Sequence, residues 1–219
     1  MRRTSPILPL MAMLSACVGG SHDRREAPMR QSTATFTPRP ETRQCLASLG
    51  ASKANFTPLP DQYFGAGCTT LGTVRLASLR SDDAALALTN LGPVTCPLAE
   101  TFAAWARYGV DRAARQVLGS PLVRIETMGS YNCRNIAGSS HRSAHATASA
   151  IDVSAFVLAD GRRISVIGNW SGGSAKERQF LTIVHDSACK RFGTVLGPAY
   201  NAAHKDHLHL ELSGRAFCR

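Results

Sequence analysis

Long apolar runs are absent from this sequence of 219 residues beyond its N-terminal segment. A membrane-spanning helix needs about 20 mainly apolar residues, so we expect no span after that segment. The 25 Lys and Arg residues are scattered, without a basic run and without interleaved aromatic residues. Because nucleic-acid-binding domains cluster their basic residues on one face or along one helix, we predict no nucleic-acid partner.

Two further absences concern cysteine and proline. The sequence has no Cys-x-x-Cys pair, with which a structural cysteine–zinc site commonly begins, and no proline-rich repeat of the kind found in structural wall proteins. Apart from Cys17, six cysteines remain, an even set that predicts three disulfides in an oxidising compartment. Spacing does not fix the connectivity. The sequential pairing that we predict is Cys45–Cys68, Cys96–Cys133 and Cys189–Cys218.

Residues 1–17 are typical of a bacterial export signal. A basic start at Arg2 and Arg3 is followed by an apolar stretch over residues 6–13 and by small residues before Cys17. The tetrapeptide Leu14-Ser15-Ala16-Cys17 resembles a lipobox, whose cysteine receives a lipid that anchors the mature chain to a membrane. Ordinary signal-peptidase cleavage beside an incidental cysteine is the alternative. Either predicts the cell envelope, and the lipobox predicts a lipid-anchored protein on the periplasmic side.

Residues 18–43 are rich in Ser, Thr, Pro, Arg and Gly and lack apolar periodicity, which predicts a disordered linker. Residues 44–219 are then one domain of ordinary size. The net charge is +10, or +8 without Arg2 and Arg3, and favours anionic surroundings such as lipid headgroups or a carboxylate-bearing polymer. No feature of the sequence indicates an oligomeric state.

Apolar periodicity predicts an α+β domain with a small, mostly antiparallel sheet flanked by helices and stapled by disulfides. One helix is predicted from Pro97 to about Leu118 and another from Ser174 to about Arg191, the second opened by a capping box with Glu177. Strands are predicted over residues 123–131, 150–157, 163–167 and 207–212.

Three side chains have the chemistry of a catalytic zinc site. His145 is followed seven residues later by Asp152, and His209 lies near the C-terminus in Asp206-His207-Leu208-His209. A catalytic zinc takes three protein ligands and keeps a further position for water, whose proton a nearby carboxylate such as Asp206 can accept. Histidines and acids that are only hydrogen-bonded to one another are the alternative.

These residues also carry a family resemblance. The pattern Ser143-x-His145-x-x-Ala148-x-Ala150-x-Asp152, with Asp206-His-Leu-His209, resembles the zinc peptidases that include D-alanyl-D-alanine carboxypeptidases, D,D-dipeptidases, phage endolysin peptidases and lysostaphin-like enzymes. The wider stretch from Gly129-Ser-Tyr-Asn-Cys-Arg134 through Phe192-Gly-Thr-Val-Leu-Gly-Pro198 to Cys218-Arg219 is similar to the bacterial extensin-like C-terminal domain family, over roughly residues 45–219.

The peptidase resemblance implies a role for each matching residue. His145, Asp152 and His209 would bind zinc (Zn2+). Asp206 would be the general base and later the acid, and His207 would assist the bound water or the developing oxyanion. Arg134 would bind a substrate carboxylate or the oxyanion, with a salt bridge that anchors the neighbouring disulfide loop as the alternative.

Ala148 departs from the peptidase pattern, which usually has glycine at this position. Glycine there serves a positive φ or a close backbone approach, and alanine forced into a positive φ costs about 1 kcal/mol. We expect the ligand set to tolerate this change.

Together these features predict an exported zinc metallopeptidase that hydrolyses an amide bond in peptidoglycan stem peptides or cross-links, as either a carboxypeptidase or an endopeptidase. Peptidoglycan fits because its stem peptides carry free carboxylates that a basic protein attracts. Two alternatives remain open at this stage: a zinc-containing lipoprotein that binds the cell wall without catalysis, and a disulfide-rich structural protein of the envelope.

Overall fold

The described part of the chain in this computed structural model comprises residues 40–213 and 216–219. The predicted signal peptide, the predicted lipid attachment at Cys17 and the predicted linker up to residue 39 lie outside it. Helix α1, Pro40–Ala51, begins inside the stretch predicted as linker and buries Thr42, Cys45 and Leu49. The folded domain therefore includes the last residues of that stretch.

A ten-stranded sheet is the centre of the described residues. The strands along the chain are β1 (Asn55–Pro58), β2 (Gln62–Gly65), β3 (Cys68–Thr70), β4 (Thr73–Arg80), β5 (Ala85–Thr89), β6 (Val94–Thr95), β7 (Leu122–Gly129), β8 (Ala150–Leu158), β9 (Arg163–Ser165), β10 (Thr194–Leu196), β11 (Leu208–Glu211) and β12 (Phe217–Cys218). Their order in the sheet is β1-β4-β5-β7-β8-β11-β10-β12, with β6 beside β4 and β9 beside β8, while β2 and β3 form a separate hairpin.

The α+β class and the mostly antiparallel sheet are confirmed, since within the described residues only the β5–β7 and β10–β12 pairs are parallel. The prediction of a small sheet was wrong. Residues 55–95 add β1, β4, β5 and β6 to it. Except for the eight-residue β4, these strands have two to five residues, so the local sequence pattern gives little sign of them.

Helices cover this sheet much as predicted. Helix α2, Cys96–Trp105, continues through two π-helical segments to Leu118 and ends at Gly119, whose φ of 72° is left-handed. A short helix α3, Val166–Asn169, follows β9, and α4 spans Ala175–Cys189. The capping box predicted at the start of α4 is confirmed.

Trp105 joins the helices to the sheet. Its ring lies 5.6 Å from that of Phe102 and 6.1 Å from those of Phe156 and Phe192. The indole N–H donates to the carbonyl of Val184 in α4 at 3.1 Å. Aromatic pairs of this kind contribute about 0.5–1.5 kcal/mol each beyond the area they bury, so this residue fixes α2 and α4 against β8.

Three disulfides are confirmed, but their connectivity is only partly the predicted one. The pairs are Cys45–Cys96, Cys68–Cys133 and Cys189–Cys218. The last pair was predicted, and the sequential pairing of the other four cysteines was wrong. The reason is tertiary packing: α1 lies against α2, and β3 lies against the turn that carries His145.

No helix among the described residues combines the length and apolar character needed to cross a membrane.

We predict opposite effects for two helical glycines. A Cβ added at Gly109 would overlap the Ser187 hydroxyl of α4 and lie 3.0 Å from the Trp105 ring, so Gly109→Ala should lower the free energy of unfolding by about 1–3 kcal/mol through overpacking. At Gly50 of α1 no atom lies within 4 Å of an added Cβ. Gly50→Ala should therefore stabilise the protein by up to about 1 kcal/mol. Urea denaturation of both variants measures this, and equal effects would contradict the packing described here.

Candidate metal centre

His145, Asp152 and His209 come together because of strand pairing. Asp152 on β8 lies directly opposite His209 on β11 in the antiparallel register. Directly opposed residues of an antiparallel pair point to the same face of the sheet and lie close together. His145 belongs to a 3₁₀ turn, Ala144–Thr147, that precedes β8. The turn folds back over the strand pair and brings the third side chain to the other two.

The donor atoms of these side chains form a tight triangle. His145 Nε2 lies 3.1 Å from Asp152 Oδ2 and 3.2 Å from His209 Nδ1, and His209 Nδ1 lies 2.9 Å from Asp152 Oδ1. A tetrahedral zinc with bonds of about 2.0–2.1 Å has ligand atoms about 3.3 Å apart. Two imidazole nitrogens and a carboxylate are also a donor set that zinc takes, so these residues fit the ion in type and in spacing.

The outer nitrogen of each histidine is held by a second group. His145 Nδ1 lies 3.1 Å from the backbone carbonyl of Ser130, and His209 Nε2 lies 3.4 Å from a carboxylate oxygen of Glu211. Contacts of this kind fix which nitrogen faces a metal and orient the ring. Sequence analysis missed both groups. Glu211 could have been found, because it lies two residues after His209 on the same face of β11, whereas a backbone carbonyl leaves no sequence signal.

The local electrostatics favour an ion pair while no metal is bound. Burial opposes the charged form of Asp152, but hydrogen bonds with His145 and His209 hold the pKa of this carboxyl well below its usual range. Burial would lower the pKa of His209, but its contacts with Asp152 and Glu211 raise that pKa to about 9. At neutral pH the metal-free pair is therefore a carboxylate and an imidazolium.

Ala148 ends the turn that carries His145. Its φ of 53° and ψ of 29° are left-handed, as expected for a position that favours glycine. Its N–H donates to the carbonyl of His145 at 3.2 Å, and its carbonyl accepts from the N–H of Thr95 at 3.0 Å. Alanine thus takes up the strained conformation, and the turn keeps His145 in the donor triangle.

His207 and Asp206 lie beside the triangle as a pair. His207 Nδ1 is 2.9 Å from Asp206 Oδ1, and His207 Nε2 is 3.6 Å from Asp152 Oδ1. The inner nitrogen of His207 therefore faces the donor group, while Asp206 contacts the outer nitrogen and keeps 37% of its side chain exposed. Both residues lie at the site, with the histidine between Asp206 and Asp152.

Arg134 and His204 belong to the cleft that opens over the triangle. The cleft has a volume of about 440 Å³, and both residues line it together with Asp152, His207 and His209. Arg134 forms no ion pair with any residue in 40–213 or 216–219, so the salt bridge considered for it is absent there. Burial, followed by the charges of His207 and His209, lowers the pKa of His204 to about 4. Sequence analysis did not select His204, because its position before the Asp206 motif matches no expected ligand or catalytic residue.

A second group of metal-binding residue types, His185, Cys189 and Cys218, lies elsewhere in the described chain. Its two cysteines are joined to each other, and a disulfide sulfur is not the thiolate that metals bind. This group is therefore a disulfide with a neighbouring imidazole.

Comparison with known protein families identifies the family of this chain. The family described as Extensin-like protein C-terminus matches residues 43–219, which include every residue of the donor triangle and the cleft. The chain belongs to this family. No curated protein and no solved structure matches it.

We predict that zinc binding releases protons. His209 is protonated at pH 7 because its pKa is about 9 in the metal-free protein, and a metal needs its neutral form. Zinc should therefore displace at least one proton at pH 7, and affinity should fall as the pH is lowered from 9. Titration calorimetry in two buffers with different ionisation enthalpies counts these protons.

The matched variant is Glu211→Gln, which removes one contact that raises the pKa of His209. It should release fewer protons at pH 8 than the parent chain does. An observed heat that is independent of the buffer at pH 7 would contradict the ion pair assigned to Asp152 and His209.

Proposed function

We propose that this chain is an exported zinc-dependent peptidase that hydrolyses an amide bond in peptidoglycan stem peptides or cross-links. The observation that carries the proposal is the convergence of three zinc-type donors with a histidine–aspartate pair beside an open cleft that Asp152, His207 and His209 line. A cell-wall binder or a structural envelope protein does not require a proton acceptor such as His207 Nε2 facing the candidate metal ligands. The resemblance to zinc peptidases supports the same reaction class.

A bound zinc ion would contribute two kinds of chemistry. His145, Asp152 and His209 would hold the ion, which when bound would supply a Lewis acid able to polarise a carbonyl oxygen and to lower the pKa of water. The two histidines are buried and Asp152 is 15% exposed, and the Ser130 carbonyl and Glu211 contact the outer nitrogens of the histidines, so the donors are held in place without an ion. Such preorganisation strengthens electrostatic stabilisation in the transition state.

We assign the general base to His207 and the orienting role to Asp206, which reverses the roles implied by the sequence resemblance. His207 Nδ1 donates to Asp206 Oδ1 at 2.9 Å, so Nε2 carries the lone pair and faces the donor triangle. This nitrogen accepts a proton from the attacking water and later delivers it to the leaving amine. Asp206 fixes the tautomer and stabilises the imidazolium that forms between these two steps.

Arg134 supplies the positive charge of the cleft. It has no carboxylate partner among the described residues, and it comes from the loop that follows β7. A guanidinium with free N–H groups binds a carboxylate in a bidentate manner. Stem peptides carry such carboxylates, and the net charge of +8 without Arg2 and Arg3 favours their approach.

The direct test is incubation of the zinc-loaded full chain with purified peptidoglycan, followed by mass analysis of the released fragments. Each cut should add one water and create one new amine and one new carboxyl group. His207→Ala should lower the rate about 10²–10⁴-fold, which is the usual contribution of a general base. Asp206→Asn should lower it about 10–100-fold, as for other residues that orient a reactive group.

Both variants should still bind one zinc ion, because neither residue belongs to the donor triangle. His141→Ala, which changes an exposed histidine outside the cleft, is the matched control and should keep full activity. Zinc-loaded protein that releases no fragments would refute the peptidase. Full activity in His207→Ala would refute the base assignment alone.

A further inference from the structure

One wall of the cleft is an aromatic corner made by Tyr200 and Phe217. The two ring centres are 5.6 Å apart and the ring planes are 83° from parallel. Tyr200 is 44% exposed and Phe217 41% exposed, although both line the cleft above the donor triangle. The ring of His204 lies 5.4 Å from Tyr200 on the side of the triangle. The corner therefore presents two half-exposed apolar faces next to the reactive groups.

The backbone holds this corner in place. The N–H of Phe217 donates to the carbonyl of Gly193 at 2.7 Å, and the N–H of Tyr200 donates to that of Gly197 at 2.9 Å. Cys218, next to Phe217, is bonded to Cys189 at the end of α4. A site built on fixed backbone loses little conformational entropy when a ligand binds, which raises the affinity for a small or weakly bound group.

A free hydrogen-bond donor lines the same cleft as the two rings. Asn201 follows Tyr200, and its Oδ1 accepts from the N–H of Ala203 at 3.0 Å. Because a backbone N–H can only donate, this contact fixes which end of the amide is oxygen. The same oxygen lies 2.7 Å from His204 Nδ1. The NH₂ group of Asn201 has no protein partner within residues 40–213 and 216–219, and Asn201 lines the cleft.

From this combination we infer that the aromatic corner is a saccharide subsite, which binds a pyranose ring of the glycan strand next to the scissile peptide. A pyranose ring has a C–H face that packs on aromatic rings and a rim of oxygens that accept from an amide NH₂ group. An aliphatic peptide side chain would use the rings and leave the Asn201 donor unused. The inference rests on the proposed function, which identifies the polymer as peptidoglycan. The sugar-binding test of the subsite does not depend on that function.

The test uses a peptide-free ligand, the β-1,4-linked tetramer of N-acetylglucosamine. Ligand-observed saturation-transfer NMR and calorimetry with the full chain, with and without added zinc, measure binding in the absence of any scissile bond. We expect saturable binding that is at least tenfold weaker in Tyr200→Ala and in Phe217→Ala. Tyr200→Phe keeps the ring and should bind as the parent chain does.

Tyr63→Ala is the matched control, because Tyr63 is 76% exposed and lies outside the cleft. It should leave sugar binding unchanged, and thermal unfolding of each variant checks that the fold is kept. Absence of saturable sugar binding, or equal binding by the Tyr200→Ala, Phe217→Ala double variant, would overturn the subsite. The subsite would also be overturned if the double variant bound a sugar-free stem peptide more weakly than the parent chain but bound the tetramer equally well.

The outcomes for the subsite and for the peptidase are separable. Sugar binding that depends on the corner, in a protein that releases no peptidoglycan fragments, supports the subsite and refutes the peptidase. Fragment release without sugar binding supports the peptidase and overturns the subsite.

Discussion

The antiparallel pairing of β8 with β11 is the constraint on which the candidate site depends. It sets Asp152 opposite His209, and the two-residue period of β11 then puts Glu211 on the same face. A slip of one residue would turn one set of these side chains to the other face of the sheet. The buried neighbours Val153, Leu208 and Leu210 fix the register, so the apolar core determines where the polar donors meet.

Sequence reasoning predicted elements with strong local patterns better than it predicted contacts between distant segments. The helix over α2, the capping box of α4, and strands β7 and β8 have strong local patterns and were predicted. The disulfide partners of Cys45 and Cys68 depend on how distant segments pack, which no spacing reveals. The size of the sheet has the same cause, since β5 pairs in parallel with β7 across the intervening helix α2.

The same limit applies within the site. Spacing selected His145, Asp152 and His209 as candidate donors, and the fold brings their ligand-type atoms together. It did not reveal how Asp206 and His207 contact each other, because the alternation of side chains along a strand would point adjacent residues to opposite sides. Both lie just before β11 begins at Leu208, where that alternation no longer holds, and a hydrogen bond between His207 Nδ1 and Asp206 Oδ1 joins their side chains.

The Cys68–Cys133 disulfide ties the loop that carries Arg134, which lines the cleft, and this tie forms only on oxidation. Cys133 precedes Arg134, and the loop beyond is also held by backbone hydrogen bonds, by the bridge between Asn135 and Arg142, and by the contact of Arg142 with the carbonyl of Ala66. A newly made chain in a reducing cytoplasm lacks the covalent tie. If the chain is exported as proposed, oxidation would then be a maturation step that ties the loop of Arg134 beside the site only after export.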